Sequence, residues 1–528
     1  MATDGRQSDA AGPQRGPSEN PGAARGSGGS LASATTRGFA WLLAQTVGTR
    51  ILTFGTQLVL AALLAPEVFG VMALAQTAQA VVVMIHNIGM RDILVQRSHK
   101  LRLWLPHAFH LSLVIGVLAG LLMAMLGPAA AAAYDEPQLI GVVAVLAITP
   151  VFAALQQVCD SVLRSRLRFA AVAMIEIAVT VTTAVTAISL ARLGFGVYAL
   201  AIPVPVAAAV GYAITAKLAC VGVPLRVRPR RWPFLLSSGG KLGLSRVFLL
   251  LAKQGDYVAM GLFLPTAAVG LYYFAFNLSL QTVRLLTRSL VGVLLPVLSE
   301  IKSDIRRATR AYIRATTVLS IVGMPAALLQ ALVAVPLLRT LFNERWWDAA
   351  ELLQILSLAM AFQLVGQSTS SMLKSQRRYT TVLVLTAIQA VTLLSFVFPA
   401  AMLGDTTTVA LAVLAYSVIT APLRMIVSVA PGGGTWIDVC RVVFVPALAG
   451  AAASAAGIAA AEASVGGAVT TWLGASVTSA VGLPVYAMLV RLMLPSASGE
   501  IASMAGRGLS RVRNRSRSRA RPAGTGTA

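Results

Sequence analysis

Hydrophobic residues in this chain form long runs, separated by short polar turns, from Gly38 to Leu494. Each run has about 20 residues, which is the length of helix that crosses a hydrocarbon core of roughly 30 Å. Backbone groups in a bilayer can bond only to one another, so each run is predicted to be helical. The pattern predicts an all-α polytopic membrane protein with about fourteen transmembrane helices, at 39–64, 68–90, 106–126, 138–158, 169–191, 195–219, 239–263, 268–296, 316–341, 350–373, 380–403, 407–429, 441–461 and 468–494.

Composition supports this class. Hydrophobic residues make up 57% of the chain and charged residues 12%, with a mean hydropathy of +0.76. A soluble protein carries about twice that charged fraction. The two ends differ from the rest, since residues 1–37 are rich in Gly, Ser, Ala and Pro and residues 495–528 are basic. We predict a disordered N-terminal arm and a basic disordered C-terminal tail.

Basic residues in the short loops predict the orientation. They cluster in the even-numbered connections: Arg91, Arg97, Lys100, Arg102; Arg164, Arg166, Arg168; Arg226, Arg228, Arg230, Arg231; Lys302, Arg306, Arg307, Arg310; Lys374, Arg377, Arg378. The odd-numbered connections mostly carry acids: Glu67, Asp135, Glu136, Asp348, Asp405, Glu462. This alternation predicts a multi-pass protein of the inner (plasma) membrane with both termini cytoplasmic. Arg192 and Arg345 are exceptions, and Trp346 and Trp347 beside the latter are expected to be interfacial belt residues.

The net charge of +24 raises the question of nucleic acid. The basic residues, however, are distributed over separate loops and both tails. The arginine–serine run at 511–519 resembles an RNA-binding segment, but near a bilayer it is better explained by attraction to anionic lipid. We therefore expect membrane lipids as partners and no nucleic acid.

An internal repeat links the two halves of the chain. Residues 63–70 (LLAPEVFG) and 263–270 (FLPTAAVG) share a proline, a following glycine and then an alanine, at Ala75 and Ala275. The copies lie about 200 residues apart on equivalent predicted outer turns. We therefore expect a parallel pseudo-repeat: a first six-helix lobe at 38–220, a second at 239–430, and two additional helices at 440–494.

Polar residues inside the spans indicate a site within the helices. They are Arg50 in span 1, Arg246, Lys253 and Asp256 in span 7, and Asn277, Gln281, Arg284 and Arg288 in span 8. The span 8 set follows the helical period, so it shares one face. A cation deep in a helix costs roughly 2.5–3.5 kcal/mol on insertion scales and usually faces a cavity or a partner. A positively charged chamber between the lobes accounts for these residues together.

Structural alternatives stay open for several of these residues. Arg246 and Arg288 can be explained by snorkelling to the interface. Lys253 and Asp256, three residues apart, can be a neutralising pair. Glu176 in span 5 can hold a coupling proton or cation, or pair with an arginine; Asp256 is the other coupling-ion candidate.

Three segments of the chain resemble bacterial polysaccharide flippases. They are residues 63–97, residues 256–299 and residues 341–356, within a resemblance over about 38–430. These flippases transport O-antigen and exopolysaccharide repeat units and belong to the multidrug/oligosaccharidyl-lipid/polysaccharide exporter superfamily. The resemblance implies two six-helix lobes, alternating access and a polyprenyl-diphosphate-linked oligosaccharide as cargo. The family has no fixed catalytic motif, so it transfers no functional residue, and Asn343 stands where glycine is commoner.

The sequence therefore predicts a non-enzymatic flippase that moves lipid-linked repeat units from the cytoplasmic to the outer leaflet. No phosphate-binding glycine loop followed by Lys-Ser/Thr is found, and no cofactor or metal is expected. Arginine forks suit phosphate oxygens, and amides and hydroxyls suit sugars. A polysaccharide polymerase and export proteins are possible partners. The alternatives are a flippase for a peptidoglycan or teichoic-acid-type precursor, a drug exporter of the same superfamily, or a membrane sugar polymerase.

Overall fold

The protein is all-helical over the residues that its computed structural model describes, which are 45–46, 48–86, 94, 101–166, 168–219, 243–301, 303–465, 471–495 and 499. The helices are α1 (Gly48–Leu63), α2 (Pro66–His86), α3 (Leu101–Tyr134), α4a (Gln138–Leu146), α4b (Thr149–Ser165), α5 (Phe169–Arg192), α6a (Tyr198–Ala201), α6b (Pro203–Ala219), α7 (Gly243–Phe263), α8 (Thr266–Glu300), α9 (Ile305–Leu341), α10a (Ala349–Gln367), α10b (Thr369–Ser375), α11 (Tyr379–Met402), α12 (Thr406–Val429), α13 (Trp436–Val465) and α14 (Trp472–Met493).

The predicted fold class is confirmed, and every predicted span overlaps one of these helices. Within the described ranges, eleven helical stretches are long and apolar enough to cross a membrane. Helices α1, α7 and α8 are not in that set, so the number fourteen stays a prediction. Boundaries differ most at α9, which begins at Ile305 rather than near residue 316. The side chain of Asp304 accepts a hydrogen bond from the Arg307 amide (2.9 Å) and so starts the helix in polar sequence, where hydropathy gives no signal.

The two halves of the chain share the same neighbour pattern. In the first half α2 packs on α3, α3 on α4b, α4b on α6b, and α5 on α6b. In the second half the corresponding pairs are α8 with α9, α9 with α10a, α10a with α12, and α11 with α12. This order agrees with a parallel repeat of six helices. The exact lobe boundaries stay a prediction.

Turns on both faces of the protein repeat as well, about 210 residues apart. Arg168 and Arg378 precede α5 and α11 with nearly identical backbone angles (φ −82°, ψ 57° and φ −83°, ψ 58°). Each amide donates to the carbonyl five residues earlier, at 2.9 and 3.0 Å. After α5 and α11 the chain turns at Gly194 (φ 79°) and Gly404 (φ 76°), the left-handed conformation that favours glycine. The duplication therefore extends beyond the hairpins that sequence comparison had detected.

The repeated glycines lie where the two halves touch. A Cβ added at Gly70 would overlap the backbone carbonyl of Thr266, and a Cβ added at Gly270 would overlap that of Pro66. The contacts are reciprocal, so a pseudo-twofold axis passes between α2 and α8 at their predicted outer ends. Only glycine allows two helix backbones to approach so closely.

An aromatic cluster surrounds this contact. Trp346 packs edge-on against Phe69 (ring centroids 5.2 Å apart) and lies 4.6 Å from the ring of Phe274. Its side chain is only 2% exposed. The expectation that Trp346 is an interfacial belt residue is therefore wrong, because the 3₁₀ turn at Glu344–Trp346 directs its ring into the core. Trp347 is 39% exposed, as a belt residue would be.

The last two helices, α13 and α14, pack against each other and against α9. Pro325 inside α9 has no N–H, so the carbonyl of Ile321 has no partner in its own helix. The hydroxyl of Tyr486 on α14 donates to that carbonyl (2.9 Å). A neighbouring helix thus satisfies a backbone group that proline has freed, as the membrane interior requires.

Candidate transport chamber

A chamber of about 710 Å³ lies between the two halves, next to the glycine contact. It begins at Gln76 on α2, six residues or about 9 Å along the helix from Gly70. Its walls come from α1, α2, α7, α8, α10a, α11 and α12. The polar residues that line it are Arg50, Gln76, Lys253, Gln254, Asp256, Tyr257, Tyr273, Asn277, Gln363, Gln367 and Tyr416.

Three of the residues predicted for span 7 and span 1 meet in this chamber. Arg50 on α1 lines the chamber together with Lys253 and Asp256 on α7. The side chain of Lys253 is exposed to the chamber, whereas Asp256 is only 3% exposed. Sequence spacing alone could not show that residues 200 positions apart would share one cavity.

Asp256 is held by tyrosine rather than by lysine. Its Oδ2 accepts a hydrogen bond from the Tyr272 hydroxyl (2.9 Å), and its Oδ1 accepts one from the Tyr257 amide (3.0 Å). The ring of Tyr257 packs against that of Tyr272 with centroids 5.6 Å apart. Lys253 makes no ion pair with Asp256, so the neutralising-pair explanation does not describe this conformation. A buried carboxylate at a chamber wall is suited to bind a proton or a cation.

Of the four residues predicted in span 8, the structure describes the side chains of Asn277 and Gln281. Asn277 lines the chamber and donates to the carbonyl of Tyr273 (2.9 Å), while Gln281, one turn further along α8, is half-buried. Arg284 and Arg288 lie on α8 and Arg246 lies on α7, but their side chains fall outside the described part of the structure. Their role in the site stays a prediction.

Glu176 does not join the other candidates. It lies on α5 with an exposed side chain, and α5 contributes nothing to the chamber wall in this conformation. The hydroxyl of Thr180 donates to the Glu176 carbonyl within the same helix (2.7 Å). A coupling role for Glu176 therefore has no support from its position, whereas Asp256 lies at the chamber wall as a coupling residue would.

Sequence reasoning missed several neutral chamber residues, because it considered neutral side chains only where they share a span with arginines. Gln76 donates to the hydroxyl of Tyr273 (2.9 Å) and so joins the two halves. Gln363 donates to Ser417 (3.1 Å), and Gln367 lies one turn further on the same face of α10a. Two glutamines at i and i+4 within an apolar helix are a signal that a search guided by charged residues overlooks.

The chamber combines two kinds of chemistry. Arg50 and Lys253 supply positive charge, and five amides with three tyrosines supply donors and acceptors for neutral polar groups. Apolar residues such as Phe276, Leu280 and Leu393 complete the wall. Within the described ranges, no group of three or more His, Cys, Asp or Glu side chains comes together as metal ligands would. Such a wall suits a ligand that has both anionic and hydroxyl groups.

Known sequences resemble this chain over much of its length. A family model described as polysaccharide biosynthesis protein matches residues 59–351. The succinoglycan biosynthesis transport protein ExoT of Rhizobium meliloti (strain 1021) is 24% identical over 348 residues, which is 62% of this chain and 66% of that protein. An uncharacterized membrane protein in the cps region of Klebsiella pneumoniae is 27% identical over 110 residues, 21% of this chain and 23% of that protein. The matches thus span less than two thirds of either relative.

Solved structures of similar fold are transporters. A structure of the lipid II flippase MurJ in an inward closed conformation superposes with a TM-score of 0.70 at 12% identity, and covers 85% of this chain and 98% of that one. An inward-facing multidrug resistance transporter of the MATE family gives a TM-score of 0.59 at 15% identity over 74% of this chain and 95% of that one. At these identities the likeness establishes the fold.

Proposed function

This chain belongs to the polysaccharide biosynthesis protein family, and we propose that it is a transporter of the multidrug/oligosaccharidyl-lipid/polysaccharide exporter superfamily whose cargo is a polyprenyl-diphosphate-linked oligosaccharide repeat unit. The protein would move this cargo from the cytoplasmic to the outer leaflet by alternating access. The observation that carries the proposal is the chamber wall, where cationic and amide side chains occur together.

The chemistry of the cargo supports this assignment. A diphosphate and an oligosaccharide cannot cross hydrocarbon unaided, whereas the apolar polyprenyl tail can remain in the bilayer. Arg50 and Lys253 match the diphosphate, and the glutamines, Asn277 and the tyrosines match sugar hydroxyls. A drug exporter for cationic compounds is less compatible, because two chamber cations would repel its cargo.

The reaction needs no covalent step, so we propose a non-enzymatic flippase. Asp256 is the proposed coupling-ion site because it is buried at the chamber wall. A polysaccharide polymerase and export proteins are the proposed partners, since a repeat unit delivered to the outer leaflet must next be joined to others.

Transport by the purified protein tests the function. In proteoliposomes, wild-type protein should make a polyprenyl-diphosphate-linked oligosaccharide accessible at the opposite leaflet, and Lys253→Gln should slow this by about tenfold. A matched control is Lys217→Gln, because Lys217 lies on α6b away from the chamber lining. Faster movement of a lipid-linked peptidoglycan or teichoic-acid-type precursor than of the oligosaccharide would favour that alternative. Failure to move any of the three would reject the flippase proposal.

The proposed membrane orientation is tested separately. We propose an inner-membrane protein with both termini cytoplasmic, because basic residues cluster in alternate loops. After replacement of Cys159, Cys220 and Cys440, single cysteines near Asp135, Asp348 and Asp405 should react with an impermeant reagent from outside. Single cysteines near Arg166 and Arg377 should not react. A reversed result at two or more loops would overturn the orientation.

A further inference from the structure

We infer that Arg424 on α12 is an anion-binding residue that contacts a phosphate of the lipid-linked substrate, at the end of the chamber away from the glycine contact. The inference rests on the proposed function and adds a specific site to it. Sequence analysis had not singled out Arg424, although an arginine within a span satisfies the same insertion-cost argument as Arg50.

The position of Arg424 on α12 places it on the chamber side of that helix. Val413 and Tyr416 line the chamber, and Thr420 and Arg424 follow them at helical spacing on the same face. Long side chains on a helix point toward its N-terminus, which here means toward Tyr416. Among the described residues, Tyr416 is one of two groups that interact electrostatically with the Arg424 guanidinium, the other being Tyr312.

The guanidinium lies against α10a at a glycine, Gly366. A Cβ added at Gly366 would lie 2.9 Å from Nη1 and 3.2 Å from Cζ of Arg424. Gly366 lies next to Gln367 in the chain and one turn from Gln363, and both glutamines line the chamber. The absence of a side chain at residue 366 therefore makes the space that the guanidinium occupies beside the chamber wall.

The charge of Arg424 is not neutralised by the described part of the chain. The side chain of Arg424 is half-buried. Its electrostatic neighbours are the phenols of Tyr312 and Tyr416 rather than a carboxylate. Among the described residues it forms no ion pair. A membrane-embedded arginine without a counter-ion is suited to receive one from a ligand, and a phosphate matches its planar fork.

The surrounding hydroxyl groups are already paired with one another. The Tyr312 hydroxyl lies 3.1 Å from Thr369 Oγ1, and Ser368 donates to Tyr312 (3.3 Å). These contacts join α9 to the junction of α10a and α10b beside Arg424. The hydroxyl groups are thus engaged with one another, which leaves the guanidinium to bind an anion. Arg50 and Lys253, which line the chamber, would then meet a second phosphate or an intermediate position of the same one.

Binding of lipid probes to the full chain in nanodiscs of zwitterionic lipid tests the inference. The probes are a polyprenyl diphosphate, the corresponding monophosphate and the uncharged polyprenol. Arg424→Gln should weaken diphosphate binding by about tenfold or more and leave polyprenol binding within about twofold. Arg424→Lys should bind the diphosphate with an affinity between those of the wild type and Arg424→Gln, since lysine keeps the positive charge but lacks the planar guanidinium fork. The matched control is Arg491→Gln, at an exposed arginine on α14, which should bind all three probes as wild type does.

Gly366→Ala provides a second test that keeps the charge. The added Cβ should displace the guanidinium and weaken diphosphate binding in the wild-type background, but not in an Arg424→Gln background. Unchanged diphosphate affinity in Arg424→Gln would overturn the inference. So would an equal loss for diphosphate and polyprenol, which would mark a structural role. If added phosphatidylglycerol abolished the Arg424-dependent part of binding, the site would be one for lipid headgroups instead.

The proposed function and this inference can fail independently. A wild-type protein that binds polyprenyl diphosphate through Arg424, but moves no lipid-linked saccharide, would support the site and reject the flippase. A protein that moves the saccharide with Arg424→Gln as well as wild type does, with unchanged diphosphate affinity, would support the flippase and reject the site.

Discussion

The two halves of the molecule share a scaffold but not a chemistry. At the repeated turns the halves match in backbone angles, as Arg168 and Arg378 show, and in glycine positions, as Gly194 and Gly404 show. At the chamber they diverge. Where the second half has Lys253 and Asp256, the residues about 200 positions earlier are Thr53 and Thr56.

The two halves of a duplicated membrane protein are therefore constrained in different ways at their turns and at the chamber. Turns and close helix contacts are limited by backbone geometry, and both halves lie in the same bilayer. Both halves therefore have the same turn and helix-contact structure. A ligand that is not itself symmetric needs no symmetric wall. The second half supplies most of the polar groups of the chamber, while the first half supplies chiefly Arg50 and Gln76.

The largest effects are expected where the halves meet. Gly70→Ala and Gly270→Ala should each reduce transport at least tenfold and destabilise the protein by about 1–3 kcal/mol, because the added methyl meets backbone that cannot rotate away. Transport assays and thermal unfolding in detergent would measure both effects. Gly55→Ala on α1 is the control, since nothing lies within 4 Å of the Cβ it would add. Unequal losses at residues 70 and 270 would contradict the pseudo-twofold contact.

The next largest effect is expected at Asp256, a carboxylate whose counterpart in the first half is Thr56. Asp256→Asn should lower transport roughly tenfold to a hundredfold, since a charged hydrogen-bond partner is lost. Folding should persist, because the amide oxygen can still accept from Tyr272. The counterpart Thr56→Val should transport within about twofold of wild type, as the one partner of the Thr56 hydroxyl among the described residues is the Leu52 carbonyl of its own helix (2.7 Å). Normal transport by Asp256→Asn would remove it from the coupling proposal.

A smaller effect should appear in stability at the residue that holds Asp256. Tyr272→Phe removes the hydroxyl that donates to Oδ2 and leaves a buried carboxylate oxygen short of a donor, at a cost of about 1–3 kcal/mol. The buried counterpart in the first half is Met72, where Met72→Leu should cost less than about 1.5 kcal/mol. Thermal unfolding of the two variants side by side would measure the difference. Equal shifts would mean that the hydrogen bond contributes nothing specific.

The smallest effect should be the same in both halves. Gly194→Ala and Gly404→Ala place a side chain at positive φ and should each cost about 1–2 kcal/mol of stability, with transport unchanged. Nothing lies within 4 Å of either added Cβ, so backbone strain is the whole expected cost. A loss of transport at one glycine and not the other would show that this turn has a functional role that its counterpart lacks.

The sequence by itself determined the helices and their repeat. A bilayer offers no partner to an exposed peptide group, so each apolar run had to become a helix whatever surrounded it. The predicted spans therefore overlap the observed helices, and residues 63–70 and 263–270 form equivalent turns. Charge inside a span also has a large local cost, which is why Arg50, Lys253 and Asp256 were predicted to belong to a binding site. All three line the chamber, and their roles there stay a prediction.

The tertiary structure alone decided which polar groups meet. Helical spacing fixes the face of a residue on its own helix but not the helix that this face meets, so Glu176 and Asp256 were equivalent candidates until packing left the former exposed and buried the latter. The same reason explains why Trp346 was assigned to the membrane interface and why Gln363 and Arg424 were passed over. Cavities arise from contacts between residues far apart in the chain, and a local pattern carries no information about such contacts.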